Sequence, residues 1–386
     1  MIFGVFTFGV LADYVGRKTV IIPLLICVAG SGIGTSLAPN FEVFMTARVI
    51  NAFFLIGIWE TQFTYSIELV GGKWNTIVGM GLEFFWVGGW LILALLGYLI
   101  RSWRTLMLVV SLPSTLAFLL YWFIPENPRW LIATHKLEKS EQIIRNVGKS
   151  NKKELPADWK LHPVQTSDAD DKKTNIFDIF RTPNMRSKTF IIWYNFFVNA
   201  FVYFGLTLNS GDLGGDVFIN FSLSGLLEIP AYILAIFVLL RYGRRFPYCI
   251  SMILSGLSLL CISLVPQGNW CVMMLALFGK TCITFAFATL FIYSTEIFPT
   301  VIRTGAIGSA SFIGRLGGIL APWVGGLSSV HPYLPVWIFG INAVFAGLWA
   351  FSLPETAGKP LAYTIQESEM LKVNSIPWKK IKKCSP

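Results

Sequence analysis

Charge is what this sequence has least of. Asp, Glu, Lys and Arg make up 13% of its 386 residues, about half of what a soluble globular chain carries. That shortage excludes an ordinary soluble domain. Histidine is scarce as well: His135, His162 and His331 are the three, far apart and in predicted loops, so they form no catalytic or metal-binding cluster. The cysteines at 27, 249, 261, 271, 282 and 384 have no metal-ligand spacing and read as buried thiols in or beside apolar runs. No phosphate-cradling glycine loop ending in Lys-Ser or Lys-Thr is present, which removes an ATP-driven pump. Glutamine is nearly missing from the apolar stretches, Gln62 being the one case. A cavity built to hydrogen-bond a polyhydroxyl solute through amides is therefore disfavoured.

What fills the chain instead is apolar: 54% of residues, with a mean hydropathy of +0.61. The excess comes in blocks such as VIIPLLICVAGSGIGTSLA and VWIFGINAVFAGLWAFSL. A transmembrane helix needs roughly 20 mostly apolar residues. Spans are predicted at 19–38, 43–66, 74–99, 105–124, 188–207, 218–239, 247–266, 271–295, 301–323 and 333–353, with residues 1–10 as the tail of an earlier one. The blocks do not alternate, which excludes a transmembrane β-barrel. The expected fold class is an all-α polytopic membrane protein with the lipid bilayer as its surround.

The net charge of +10 is not a nucleic-acid signal, because its distribution is topological. With the segment between the fourth and fifth spans placed in the cytoplasm, inner segments hold 26 of the 31 Lys and Arg residues. Arg101 and Arg104 lie outside, and Arg48, Lys280 and Arg315 fall within spans. This is the positive-inside bias. The organisation predicted is an N-terminal transmembrane bundle over 1–124, a cytoplasmic central loop over 125–187, a C-terminal bundle over 188–353 and a cytoplasmic tail over 354–386. In the central loop, SEQIIRNVGKS predicts an amphipathic helix with Ile143, Ile144 and Val147 on one side, and the polar stretch after it reads as mobile. The basic tail WKKIKKC suits anionic lipid, with Cys384 a lipidation candidate.

Three pairs of signatures recur in order at nearly one offset. DYVGRK at 13–18 matches LRYGRR at 240–245, YSIEL at 65–69 matches YSTEI at 293–297, and PE at 125–126 matches PE at 354–355; the offsets are 227, 228 and 229. Two homologous halves follow, and parallel six-helix repeats build one large class of transporters. Measured against the second half, the first is short by roughly 40 residues at its start. A twelve-helix protein lacking the first helix and most of the second is therefore expected, as a fragment, a truncated isoform or an incomplete gene product.

The repeated loop GVLADYVGRK resembles the loop between helices 2 and 3 of the major facilitator superfamily. IPENPRWLI, LPETAGKPL, LLGYLIRSWRTL, YFGLTLNSGDLGG, GLLEIPAY and YSTEIFPTVIRTGAIG together resemble solute carrier family 22, the organic cation, carnitine and organic anion transporters. The wording of SGDLGG and IRSWRTL is most similar to its member 15 branch, which handles zwitterions. Three departures stand out: the missing start with the family's Cys-rich outer loop, Asn127 where the family has Ser, and Arg315 where carriers of simple cations have Asp.

The resemblance implies a cytoplasmic gate in which loop arginines pair with helix-end acids. Its members here are Asp13, Gly16, Arg17, Glu68, Arg129, Arg244, Arg245, Glu296 and Arg303. Gly16 permits a tight turn, and Asp13 suits a helix N-terminus. The bland alternative is solvated surface pairing, which contributes little. Arg315 poses the sharper question. An Arg at a helix centre costs about 2.5–3.5 kcal/mol on insertion scales and usually faces a cavity. Either it pairs structurally with Glu228, Glu60 or Glu83, or it faces the cavity and takes a substrate carboxylate. Glu228, Tyr203, Lys280, Trp59 and Phe196 complete the substrate-binding candidates, the aromatics as cation–π faces; Glu60 and Glu83 match no motif. The function expected is secondary active or facilitative transport of small organic ions by alternating access, with carnitine-like or betaine-like zwitterions foremost. Organic anion exchange, sugar transport and a transport-inactive isoform are the rivals. No enzyme activity and no cofactor are expected; sodium is a candidate coupling ion, and the plasma membrane the expected location.

Overall fold

The computed structural model describes residues 2–71, 74–116, 119, 123–153, 155–156, 159, 161, 179–209, 217–266, 270–359 and 361–370. Lys73, the polar stretch after residue 161, SGDLGG, and the tail with Cys384 fall outside these, wholly or in large part. The described helices are α1 (Ile2–Val15), α2 (Arg17–Ser36), α3 (Phe41–Leu69), α4 (Trp74–Leu99), α5 (Trp103–Thr115), α6 (Pro128–Ala133), α7 (Leu137–Ser150), α8 (Pro183–Asn209), α9 (Val217–Leu226), α10 (Glu228–Tyr242), α11 (Arg245–Ile262), α12 (Trp270–Ile297), α13 (Arg303–Gly326), α14 (Leu334–Ala350) and α15 (Ile365–Met370). No strand occurs among the described residues.

Seven stretches of these helices are long and apolar enough to cross a membrane. α13 is not among them, since two arginines and a run of Gly and Ser dilute it, and α14 has 17 residues. The outer surface supports a bilayer surround. Phe85 is 81% exposed, Trp323 77% and Phe237 69%, a loss in water that lipid removes.

The predicted span 218–239 corresponds to a membrane-crossing stretch over Phe221–Tyr242, interrupted by a single turn residue, Leu227, between α9 and α10. Pro230 gives the reason, since it lacks the N–H that would bond the carbonyl four residues back, and its ring crowds that carbonyl. Glu228 sits at this break. Helix α7 realises the predicted amphipathic segment, although Val147 is 48% exposed.

Two bundles meet along two seams. α1 packs on α13, and α4 packs on α9 and α10. Within the second half, α8 lies on α13 and α14, and α11 on α12 and α14. Small residues permit the closest approaches: a Cβ on Gly9 would lie 2.8 Å from the Thr304 carbonyl oxygen, and one on Gly317 would collide with that of Phe197. Membrane helices pack by such contacts, since lipid gives them no hydrophobic drive toward each other. The main core belongs to the second half and reaches across to Phe63, Ile67, Met80 and Val87.

Candidate functional site

The two halves build the same corner twice. Gly16 (φ 114°) and Gly243 (φ 87°) both adopt backbone angles closed to other residues. A Cβ there would lie 2.7 Å from the Glu126 carboxylate at Gly16, and 2.9 Å from the Glu355 carboxylate at Gly243. Those two acids cap the helices that follow. Glu126 accepts from the Arg17 and Lys18 backbone N–H groups at 3.1 and 3.2 Å, and Glu355 accepts from those of Arg244 and Arg245 at 2.9 and 3.1 Å. The repeated tyrosines match as well: Tyr65 donates to the Pro125 carbonyl at 2.8 Å and Tyr293 to that of Pro354 at 2.6 Å.

Each corner then holds one buried arginine against one buried acid. Arg17 meets Glu68 at 3.2 Å, and Arg244 meets Glu296 at 2.9 Å. The next donor to each acid differs in kind but not in place: Asn127 bonds Glu68, and Thr356 bonds Glu296. Asn127, the departure noted in the sequence, thus serves as Thr356 does in the second half.

The halves are tied together where this symmetry fails. Asp13, whose counterpart is Leu240, pairs with Arg17 at 2.9 Å and accepts from the Thr304 and Gly305 N–H groups at 3.2 and 2.6 Å. It therefore caps the N-terminus of α13 in the other half, where a negative charge is favoured. Arg303 crosses back to Glu68 at 2.6 Å, Arg17 donates to the Thr300 carbonyl at 3.0 Å, and Arg244 donates to Thr76 Oγ1 at 2.8 Å. Arg129 donates to the Glu68 carbonyl at 2.8 Å and lies over the Tyr363 ring. These contacts join the two halves at this end of the molecule. Arg245 bonds Glu355 and the Phe351 carbonyl, its place one residue beyond Arg244 turning it toward the segment after α14.

The interior candidates separate into two neighbourhoods. Arg315, midway along α13, makes no hydrogen bond and no close ion pair among the described residues, and its Nε is buried without a partner. The charge acting on it is Glu60 of α3. Glu60 is 1% exposed; Ser311, one turn before Arg315, donates to its Oε1, and Oε2 has no partner. Of the three acids that could have paired with Arg315, it is Glu60 that faces it, and without ion-pair contact.

Glu228 accepts from Tyr203 at 2.6 Å and from Tyr232 at 2.9 Å. Glu83 and Lys280 are its charged neighbours. The two neighbourhoods connect. Trp59, next to Glu60, meets Trp86 edge-on at 5.3 Å, and Trp86 lies against Tyr203. Phe196 is 1% exposed, packed among Phe287 and Phe291 with its backbone against Gly314. Ser311, Tyr232, Trp86, Thr76 and Thr356 were not singled out by the sequence. Of these, only Thr356 had a usable signal, since it follows the repeated PE dipeptide as Asn127 does.

The family model described as "Sugar (and other) transporter" matches residues 1–366. Solute carrier family 22 member 3 of Mus musculus is 37% identical over 372 residues, covering 95% of this chain and 67% of that protein. Organic cation/carnitine transporter 2 of Homo sapiens is 34% identical, with 98% and 69% covered. A solute carrier family 22 member 15-like protein of Xenopus laevis is 33% identical, with 93% and 74% covered. Among solved structures, the proton:xylose symporter XylE superposes with a TM-score of 0.74 at 19% identity, covering 96% of this chain and 87% of that one; this likeness speaks for the fold alone. The repeat, the twin corners and these matches agree: the chain is a multi-pass membrane protein of the sugar (and other) transporter family, with the major facilitator fold and solute carrier family 22 transporters as its relatives, and is not an enzyme.

Proposed function

We propose that this transporter carries small organic zwitterions, with Arg315 receiving the substrate carboxylate and the Glu228–Tyr203–Tyr232 cluster receiving its cationic group. The observation that carries the reading is the unpartnered guanidinium of Arg315, half-buried at mid-helix with its Nε fully buried, beside an acid it does not contact. A buried N–H without a hydrogen bond is costly, and a carboxylate bound bidentately supplies what it lacks. The aromatic link from Trp59 through Trp86 to Tyr203 lies between the two charged poles and offers faces to an alkylammonium group. A carnitine/organic cation transporter among the relatives is in keeping with this. The joined end is read as the cytoplasmic gate of an outward-facing state at the plasma membrane.

Organic anion exchange is the second reading, and one observation favours it. Glu228 is already satisfied by two tyrosine hydroxyls, with Lys280 close by, so it need not face a substrate cation. Uptake of labelled carnitine, a simple organic cation and a simple organic anion separates the readings. Arg315→Asp should abolish carnitine uptake, and Glu228→Gln should lower carnitine uptake while sparing the anion. Intact carnitine uptake by Arg315→Asp would refute the carboxylate site, and intact carnitine uptake by Glu228→Gln would favour anion exchange.

A further inference from the structure

Glu60 and Arg315 are the arrangement that the gate and the substrate poles leave unused. Glu60 stands on α3 of the first half, and Ser311 and Arg315 stand one turn apart on α13 of the second, so they share a helix face. Ser311 fixes one carboxylate oxygen of Glu60; the other, Oε2, is buried and bare, as is Arg315 Nε. As the molecule stands, the two charges compensate each other across the seam between the bundles. A substrate carboxylate that takes the guanidinium changes this balance. Two acids would then share one base in a buried site, where an uncompensated charge is expensive.

The geometry points to Glu60 as a proton-binding site that couples carboxylate binding at Arg315 to uptake of one proton. The inference rests on the Arg315 reading above. A proton from water adds to Glu60 Oε2, the substrate carboxylate replaces Glu60 as the counter-charge of Arg315, and the net charge of the pair is conserved. Once the substrate carboxylate leaves on the other side, Arg315 is again the counter-charge of Glu60, and the proton returns to water. Other charged groups on the elements packed against α3 lie elsewhere. Asp13 of α1, Arg17 and Lys18 of α2, Arg129 of α6, Glu296 of α12 and Arg303 of α13 belong to the joined end. Glu83 of α4 and Lys280 of α12 act on Glu228. Arg315 is the charge that acts on Glu60.

The test is calorimetric binding of L-carnitine to the full chain in detergent, over a range of pH and in two buffers of different ionisation enthalpy. The expected result is uptake of about one proton per carnitine, with Kd falling by up to about tenfold per unit drop in pH. Glu60→Gln should bind without proton uptake and with no pH dependence. Ser311→Ala, which removes a donor to the ionised carboxylate, should move the binding profile to higher pH. If wild-type binding needs Arg315 but takes up no proton, or follows sodium concentration and not pH, the coupling inference is overturned and the carboxylate site survives. If Arg315→Gln binds carnitine as tightly as wild type, or wild type does not bind it at all, the substrate reading falls and the inference with it.

Discussion

Glu68 and Glu296 occupy equivalent places and carry unequal loads. Glu296 answers one arginine, Arg244, whereas Glu68 answers two, Arg17 from its own half and Arg303 from the other. Breaking a buried pair leaves a charge without compensation, at about 3–5 kcal/mol. Glu296→Gln should therefore cut transport while leaving surface expression intact. Glu68→Gln, which strands Arg303 and leaves Arg17 to Asp13 alone, should lower the melting temperature further and reduce expression as well. Equal melting temperatures for the two variants would contradict this account. The sequence showed both acids through the YSIEL and YSTEI repeat. It did not show that Arg303 crosses to Glu68, because its counterpart in the first half is Asn75 and the repeat is silent where it breaks.

The helix starts after the two DYVGRK-like loops depend on a glycine and a distant carboxylate acting together. Gly16 and Gly243 turn the chain at angles that cost other residues about 1–3 kcal/mol, and each lies against the acid that caps the following helix. Gly16→Ala and Gly243→Ala should each destabilise by at least that amount, because the new Cβ also displaces Glu126 or Glu355. Thermal melting of the two variants in detergent checks it, and a neutral Gly16→Ala would refute it. Helix boundaries within the apolar blocks were largely legible, since length and hydropathy decide them. The break at Leu227 was only hinted at by Pro230, for a proline inside a membrane helix either kinks it or ends it, and the neighbours decide which.

Across the whole molecule, the short helix α15 latches the tail onto the start of the second bundle. Glu369 accepts from Thr182 Oγ1 at 2.7 Å and from the Asn184 and Met185 N–H groups at 3.0 and 2.9 Å, and Lys188 donates to the Ser368 carbonyl at 2.6 Å. Partial burial would raise the Glu369 carboxyl, but these hydrogen bonds and the Lys188 charge outweigh it and hold it below its ordinary 4.5. A depressed carboxylate contributes stability that is present above its ordinary value and lost as pH falls through the lowered one. Amide exchange over residues 365–370 should therefore quicken, once corrected for intrinsic rate, only below pH 4.5, and Glu369→Gln should quicken it at neutral pH and flatten the profile. The sequence by itself determined the membrane class, the two-fold repeat, the family and the two repeated arginine–acid corners. Each of these rests on local hydropathy or on residues close together along the chain. Tertiary structure decided the rest: that Arg315 faces Glu60, that Phe196 is core, that Asp13 caps a helix of the opposite half, and that the tail closes on α8. These are contacts between segments far apart along the chain, and their partners are fixed by how the helices pack, which no local pattern encodes.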